Sequence, residues 1–152
     1  MVEIVLGFGS NLGDRASLIS EAYSMVEKSI GKLVKKSSII ETKPWGFDSE
    51  DLFLNSVACF LTNLSPIECL EEIHTIEKSL GRVRKNIKGY QSRTIDIDIL
   101  FYGKEVINES NLVVPHPLIA FRDFVLIPLK EIIPEYEHPV LKQKIKDILL
   151  QN

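Results

Sequence analysis

Cysteine is scarce: Cys59 and Cys69 are the only two in 152 residues. Neither has a His or Cys at metal-ligand spacing, so two reduced, buried thiols are expected rather than a disulfide framework. No apolar run approaches the ~20 residues that cross a bilayer. The opening Met1-Val2-Glu3-Ile4-Val5 lacks the basic stretch of a signal peptide. A cytoplasmic chain with no membrane partner is the expectation. Net charge is small at −3, which argues against a long polyanionic partner, so no nucleic acid is expected. Internal repeats, low-complexity tracts and linkers are absent too. The length fits one domain, residues 1–152, with enough chain to bury a sizeable core.

What is present falls into short, strongly patterned segments. Val2, Ile4, Leu6 and Phe8 alternate like one face of a strand. Gly7, Gly9 and Gly13 are read as the turn that follows, with Asp14 as a helix N-cap and Gly31 at the helix end. The spacing of Gly7-Phe8-Gly9-Ser10-Asn11-Leu12-Gly13 is wrong for a dinucleotide fingerprint. A strand is predicted over 33–42, a loop over 43–51, and another strand over 53–62. Ser65-Pro66-Ile67-Glu68 is a capping box with proline at N1. It opens a helix whose apolar stripe is Ile67, Leu70, Ile73, Ile76 and Leu80, ending at Gly81. Residues 94–102 form the clearest strand. Short strands follow around Val106 and over 112–114, the latter joining the same sheet; Pro117 opens a helix, and residues 140–149 form a last one. Strand, helix, strand, strand, helix, strand predicts an α+β, ferredoxin-like sandwich: a mostly antiparallel sheet covered by helices, with C-terminal additions.

Chemistry is concentrated in Arg93-Thr94-Ile95-Asp96-Ile97-Asp98. In a strand Ile95, Ile97 and Ile99 face the core while Asp96 and Asp98 share the other face, their Cα atoms roughly 6.5–7 Å apart. Two adjacent carboxylates repel; a hard cation such as Mg²⁺ offsets that repulsion and is commonly held by carboxylates together with substrate phosphates. Upstream, Arg82, Arg84, Lys85, Lys88 and Arg93 stand in a stretch without an acid. On its own that is a solvated basic loop; beside an aspartate pair it supplies the other half of a phosphoryl-transfer site.

Asn55 shares a strand face with Phe53, Val57, Cys59 and Leu61. A polar group in that company is either satisfied by nearby backbone or reads a planar heterocycle stacked on Phe53. Trp45 is either a packing anchor or a cover for such a ring. His74 and Glu77, three apart on the second helix, lie beside its buried stripe. They form either a surface pair or a nucleotide contact. His116, between Pro115 and Pro117, is a candidate phosphate contact.

Together these segments resemble the 6-hydroxymethyl-7,8-dihydropterin pyrophosphokinase family of folate biosynthesis. The marks are Gly9-Ser10-Asn11-Leu12-Gly13, Thr42-Lys43-Pro44-Trp45-Gly46, Phe53-Leu54-Asn55, Glu77 with Leu80-Gly81-Arg82-Val83-Arg84, Arg93 to Asp98, Val114-Pro115-His116-Pro117, and Arg122 with Phe124. The resemblance covers nearly the whole chain. It implies pyrophosphate transfer from ATP to the pterin hydroxymethyl group, releasing AMP. A monomer is expected. It implies two Mg²⁺ ions on Asp96 and Asp98, with Arg82 and Arg93 assisting the transferring group. Phe53 and Phe124 would sandwich the pterin, with Thr42, Pro44, Trp45 and Asn55 at its edge. His74, Glu77, Arg84, Tyr90, Arg93, Ile99, His116 and Arg122 would contact ATP. Tyr90 stands where the family usually has tryptophan, and Asn111 where some members carry a base. Two other readings suit the carboxylates or the fold: a metal-dependent nuclease or nucleotidyl transferase, and a non-catalytic ferredoxin-like binding module.

Overall fold

In the computed structural model of the chain, residues 1–10, 15–42, 53–82 and 95–152 are described. The first strand, β1 (Val2–Ser10), runs through both early glycines instead of turning at them. It lies between two antiparallel neighbours, β4 (Phe53–Thr62) and β5 (Asp96–Tyr102). Pairing on both sides offsets the poor strand propensity of glycine. Gly7 faces Val57 and Asp98, and Gly9 faces Asn55 and Asp96. Asp14 and Gly13 lie outside the described residues.

Helix α1 (Arg15–Ser29) leads into β2 (Gly31–Lys36). Gly31 is no helix cap. It begins the strand, where an added Cβ would sit 1.8 Å from the Leu61 carbonyl oxygen. The expected strand over 33–42 is broken: β2 and β3 (Ile40–Thr42) both pair with β4. Between them Ser37 bonds Val57 through both its backbone N–H (2.9 Å) and its Oγ (3.0 Å). The main sheet order is β2-β4-β1-β5, with β3 beside β4.

Helix α2 (Pro66–Glu77) starts as its sequence dictates. Ser65 Oγ accepts the Glu68 N–H at 3.2 Å, and Glu68 Oε1 accepts the Ser65 N–H at 2.9 Å. Its buried face differs from the expected stripe. Cys69, Ile73, Ile76 and Glu77 are buried, while Ile67, Leu70 and Leu80 are partly buried against the same core. The helix then widens over Lys78–Arg82, where Gly81 takes φ 106, a conformation that side chains oppose.

Strands β6 (Ile107–Glu109) and β7 (Leu112–Val114) form a ribbon of their own rather than extending the main sheet. Pro117 opens no α-helix. A single 3₁₀ turn over Ile119–Phe121 precedes α3 (Asp123–Ile132). The helix expected over 140–149 is also absent, apart from a 3₁₀ turn at Ile145–Asp147. Its interior donors are spent elsewhere: the Ile145 N–H bonds the Tyr136 carbonyl at 2.9 Å and the Lys146 N–H the Pro134 carbonyl at 3.0 Å, instead of carbonyls four residues back. Lys142 takes φ 59, which ends helical propagation.

The result is an α+β protein in three layers. On one sheet face α1 and α2 bury Ile4, Leu6, Phe8, Ala58 and Phe60. On the other, α3 and the C-terminal segment bury Val5, Val57, Cys59, Leu100 and Phe101. Burial pushes the Cys59 thiol up to about 12, so it is an inert filler. None of the described helices is long and apolar enough to cross a membrane.

Candidate functional site

The aspartates stand where alternation predicts. Ile95, Ile97 and Ile99 are buried against α1 and α2, while Asp96 and Asp98 are half-buried on the opposite face. The alternation then breaks. The pairing of β1 with β5 slips between Val5 and Leu6, and Leu100 and Phe101 both join the core under α3. This is a β-bulge, a device that ends one patterned stretch and begins another. Two carboxylates side by side, accessible and built from hard oxygen donors, suit Mg²⁺, which completes its shell with phosphate oxygens and water.

Beside Asp98 is a cavity of about 310 Å³. Its polar lining is His74, Glu77, Asp98, Asn111 and His116; Leu70, Ile97, Ile99, Leu112 and Pro117 supply apolar walls. Glu77 is more than a rim residue. It is buried, and its Oε2 accepts the Ile97 N–H at 2.9 Å. His116 follows a cis Val114–Pro115 bond. Its Nδ1 accepts the Leu118 N–H at 3.1 Å, so the neutral ring carries its proton on Nε2. Burial lowers the His116 pKa; Asp98 raises it and Arg122 lowers it. His116 is therefore a neutral donor near pH 7.

Across β1 from the aspartates lies a second group. Asn55 is buried, and its Nδ2 donates to Thr42 Oγ1 at 2.7 Å. Thr42 pairs with Phe53 in the β3–β4 ladder. A Cβ on Gly9 would lie 3.1 Å from Asn55 Oδ1, so the carboxamide lies over bare backbone. Asn55, Gly9 and Asp96 are successive cross-strand partners, which sets Asn55 and Asp96 about 10 Å apart, two strand spacings. Arg122, just before α3, approaches Asp98 Oδ2 with Nη1 at 3.9 Å. Its guanidinium lies 5.6 Å from the centre of the Phe124 ring. With the Asp98 side chain 47% exposed, that long ion pair contributes little to stability. Its significance is placement: one cation between the carboxylates and an aromatic face.

The sequence profile of the family described as 7,8-dihydro-6-hydroxymethylpterin-pyrophosphokinase (HPPK) matches residues 5–134. The chain belongs to this family. A 2-amino-4-hydroxy-6-hydroxymethyldihydropteridine pyrophosphokinase of Aquifex aeolicus is 41% identical over 152 residues, spanning 100% of this chain and 93% of its own. The Porphyromonas gingivalis protein of the same description is 42% identical over 141 residues, 91% of this chain and 95% of its own. Among solved structures, a triple mutant of Plasmodium falciparum HPPK-DHPS with SDX-DHP matches with a TM-score of 0.79 at 20% identity, covering 97% of this chain and 43% of that one. At that identity the likeness speaks for the fold. As a member of the HPPK family the chain is an enzyme, which sets aside the binding-module reading.

Of the residues singled out from sequence, Asp98, His74, Glu77, Ile99 and His116 line the cavity, Arg122 approaches Asp98, and Asp96 shares a strand face with Asp98. Thr42, Phe53 and Asn55 form the second group. Pro44, Trp45, Arg84, Tyr90 and Arg93 lie outside the described residues, and of Arg82 only the backbone is described. Sequence reasoning missed Gly7 and Gly9 as parts of the site floor. The signal was there for Gly7, since the alternation of Val2, Ile4, Leu6 and Phe8 passes straight through it.

Proposed function

We propose that the chain transfers the pyrophosphoryl group of ATP to the hydroxymethyl oxygen of 6-hydroxymethyl-7,8-dihydropterin, giving the pterin diphosphate and AMP. The observation that supports this reading is the row Asn55–Gly9–Asp96, with Asp98 facing Gly7 beside it, an amide suited to a heterocycle edge and two carboxylates suited to Mg²⁺ on one sheet face. The hydroxyl oxygen attacks the β-phosphorus in line. The bridge between the α- and β-phosphates breaks, its electron pair leaves on AMP, and the hydroxyl proton is released to water.

Asp96 and Asp98 would hold Mg²⁺, two ions on this reading, which supplies charge neutralisation at the phosphate oxygens when bound. Asn55 and Thr42 hold the pterin edge; Phe53 and Phe124 are assigned to its faces. His116 donates a hydrogen bond and Arg122 brings a positive charge towards the phosphates. His74, Asn111 and Ile99 line the space assigned to the nucleoside. Arg82, Arg84, Tyr90 and Arg93, with Pro44 and Trp45, are assigned to closing contacts with ATP and pterin. Such positioning and electrostatics carry much of the acceleration in phosphoryl transfer. The antiparallel order β2-β4-β1-β5, with α1 and α2 on one face, supports a ferredoxin-like reading of the sandwich. A cytoplasmic monomer completes the proposal.

The purified chain, given ATP, Mg²⁺ and the pterin, is expected to release AMP only when all three are present. AMP formation that ignores the pterin would overturn the reading.

A further inference from the structure

Strand β5 lies at the edge of the main sheet: β1 pairs with one side, and no strand among the described residues pairs with the other. Edge backbone groups need partners from elsewhere. Two are present here. Leu100 O accepts the His116 N–H at 3.1 Å, and Glu77 Oε2 accepts the Ile97 N–H at 2.9 Å. Ile97 is the residue between Asp96 and Asp98. Glu77 is the last residue of α2 and is 5% exposed. Taking a carboxylate out of water is costly unless it is bonded. An apolar residue would bury at that helix position with no such cost, so the acid calls for a reason beyond packing.

We propose that Glu77 is a positioning residue for the aspartate pair. Its carboxylate pins the Ile97 backbone and thereby fixes the direction and spacing of Asp96 and Asp98. The inference rests on reading those aspartates as the Mg²⁺ ligands. Mg²⁺ demands near-octahedral geometry, and a misplacement of about 1 Å in a reacting assembly can cost about 100-fold in rate. An edge strand clipped only at Leu100 would leave the aspartates on its loose end. Glu77 also adjoins the wide turn Lys78–Arg82, so the same bond ties the root of the basic segment to the carboxylate strand.

The test compares Glu77→Ala, Glu77→Gln and wild type. In protein free of metal and nucleotide, the Ile97 amide is expected to exchange with solvent about 10- to 100-fold faster in Glu77→Ala. Glu77→Gln keeps an oxygen acceptor and should keep most of the protection. In the pyrophosphoryl-transfer assay, Glu77→Ala should lower kcat about 10- to 100-fold and raise the Mg²⁺ needed for half-maximal rate, the range seen for groups that orient metal ligands. The KM for ATP and the binding of AMP without Mg²⁺ should stay put, and Glu77→Gln should recover most of kcat. If Glu77→Ala does not fold, Glu77→Asp, one methylene shorter with its charge kept, carries the same test. A raised KM for ATP with weaker AMP binding, at unchanged kcat and Mg²⁺ demand, would make Glu77 a nucleotide ligand and overturn the proposal. An unprotected Ile97 amide in active wild type overturns the proposal alone. Wild type that forms no AMP overturns the reading of the aspartates, and this inference with it, even with the amide protected.

Discussion

One face of the central sheet is divided between two kinds of surface, although β1, β4 and β5 contribute to both. At one end Val5, Val57, Cys59, Leu100 and Phe101 are sealed by Leu126, Leu129 and Ile132 of α3 and by Ile145 and Ile148 beyond it. Only a few residues along the same strands stand Gly7, Gly9, Asn55, Asp96 and Asp98. The backbone is continuous, so scaffold and site differ only in side chains. In β1 they shrink to hydrogen; in β4 and β5 they turn polar. Helix α3 serves both ends: its body closes the dry half, and its start delivers Arg122 and Phe124 to the other. A site built on strands rather than loops inherits the rigidity of the core behind it.

The sharpest way to separate the halves is to remove a carboxylate. Asp98→Ala should cut AMP turnover on the order of 10³-fold or more, since it removes metal-borne charge stabilisation. The thermal midpoint should barely move, because Asp98 is half-buried and outside both cores. Leu129→Ala should do the reverse. Leu129 is fully buried under α3, and the cavity left behind should cost about 2–5 kcal/mol in a denaturant titration, with activity per folded molecule kept. Asn55→Ala should weaken pterin binding by about 1–3 kcal/mol, read by calorimetry, as a buried polar contact is lost. Gly9→Ala should have a smaller effect of the same kind. Its Cβ, 3.1 Å from Asn55 Oδ1, displaces the carboxamide without deleting it, so the pterin KM should rise less than for Asn55→Ala.

The smallest effect lies in the dry half. Burial lowers the pKa of His138 below its ordinary 6.5. The unfolded chain then takes up a proton that the folded chain refuses, so the contribution is fully present above pH 6.5 and is lost as pH falls below it. Urea titrations over that range should show a steeper decline in wild type than in His138→Asn.

The aspartate pair, the capped helix α2 and the central strands were legible because each rests on local periodicity or on cap chemistry. Gly7 and Gly9 were misread because glycine usually marks turns; pairing on both sides, a tertiary fact, overrode that preference. The expected C-terminal helix failed for a similar reason. The Ile145 and Lys146 N–H groups bond the Tyr136 and Pro134 carbonyls instead of carbonyls four residues back, and no pattern in residues 140–149 announces those partners. Glu77 was placed beside the stripe because charge argues for exposure. Its partner is a backbone N–H 20 residues away, invisible to helical periodicity. The grouping of Thr42 with Asn55 likewise depends on β3 pairing with β4.

The claim that the glycine-floored half of the sheet face is the reacting site is tested most directly by amide chemical shifts of the labelled chain. Spectra would be recorded as the pterin, Mg²⁺ and a non-hydrolysable ATP analogue are added together. The account predicts that Gly7, Gly9, Asn55, Asp96 and Asp98 shift most, while Val5, Cys59 and Leu129 barely move. Shifts centred on the α3-covered half, or none at Gly9 and Asn55 with ligand bound, would contradict it.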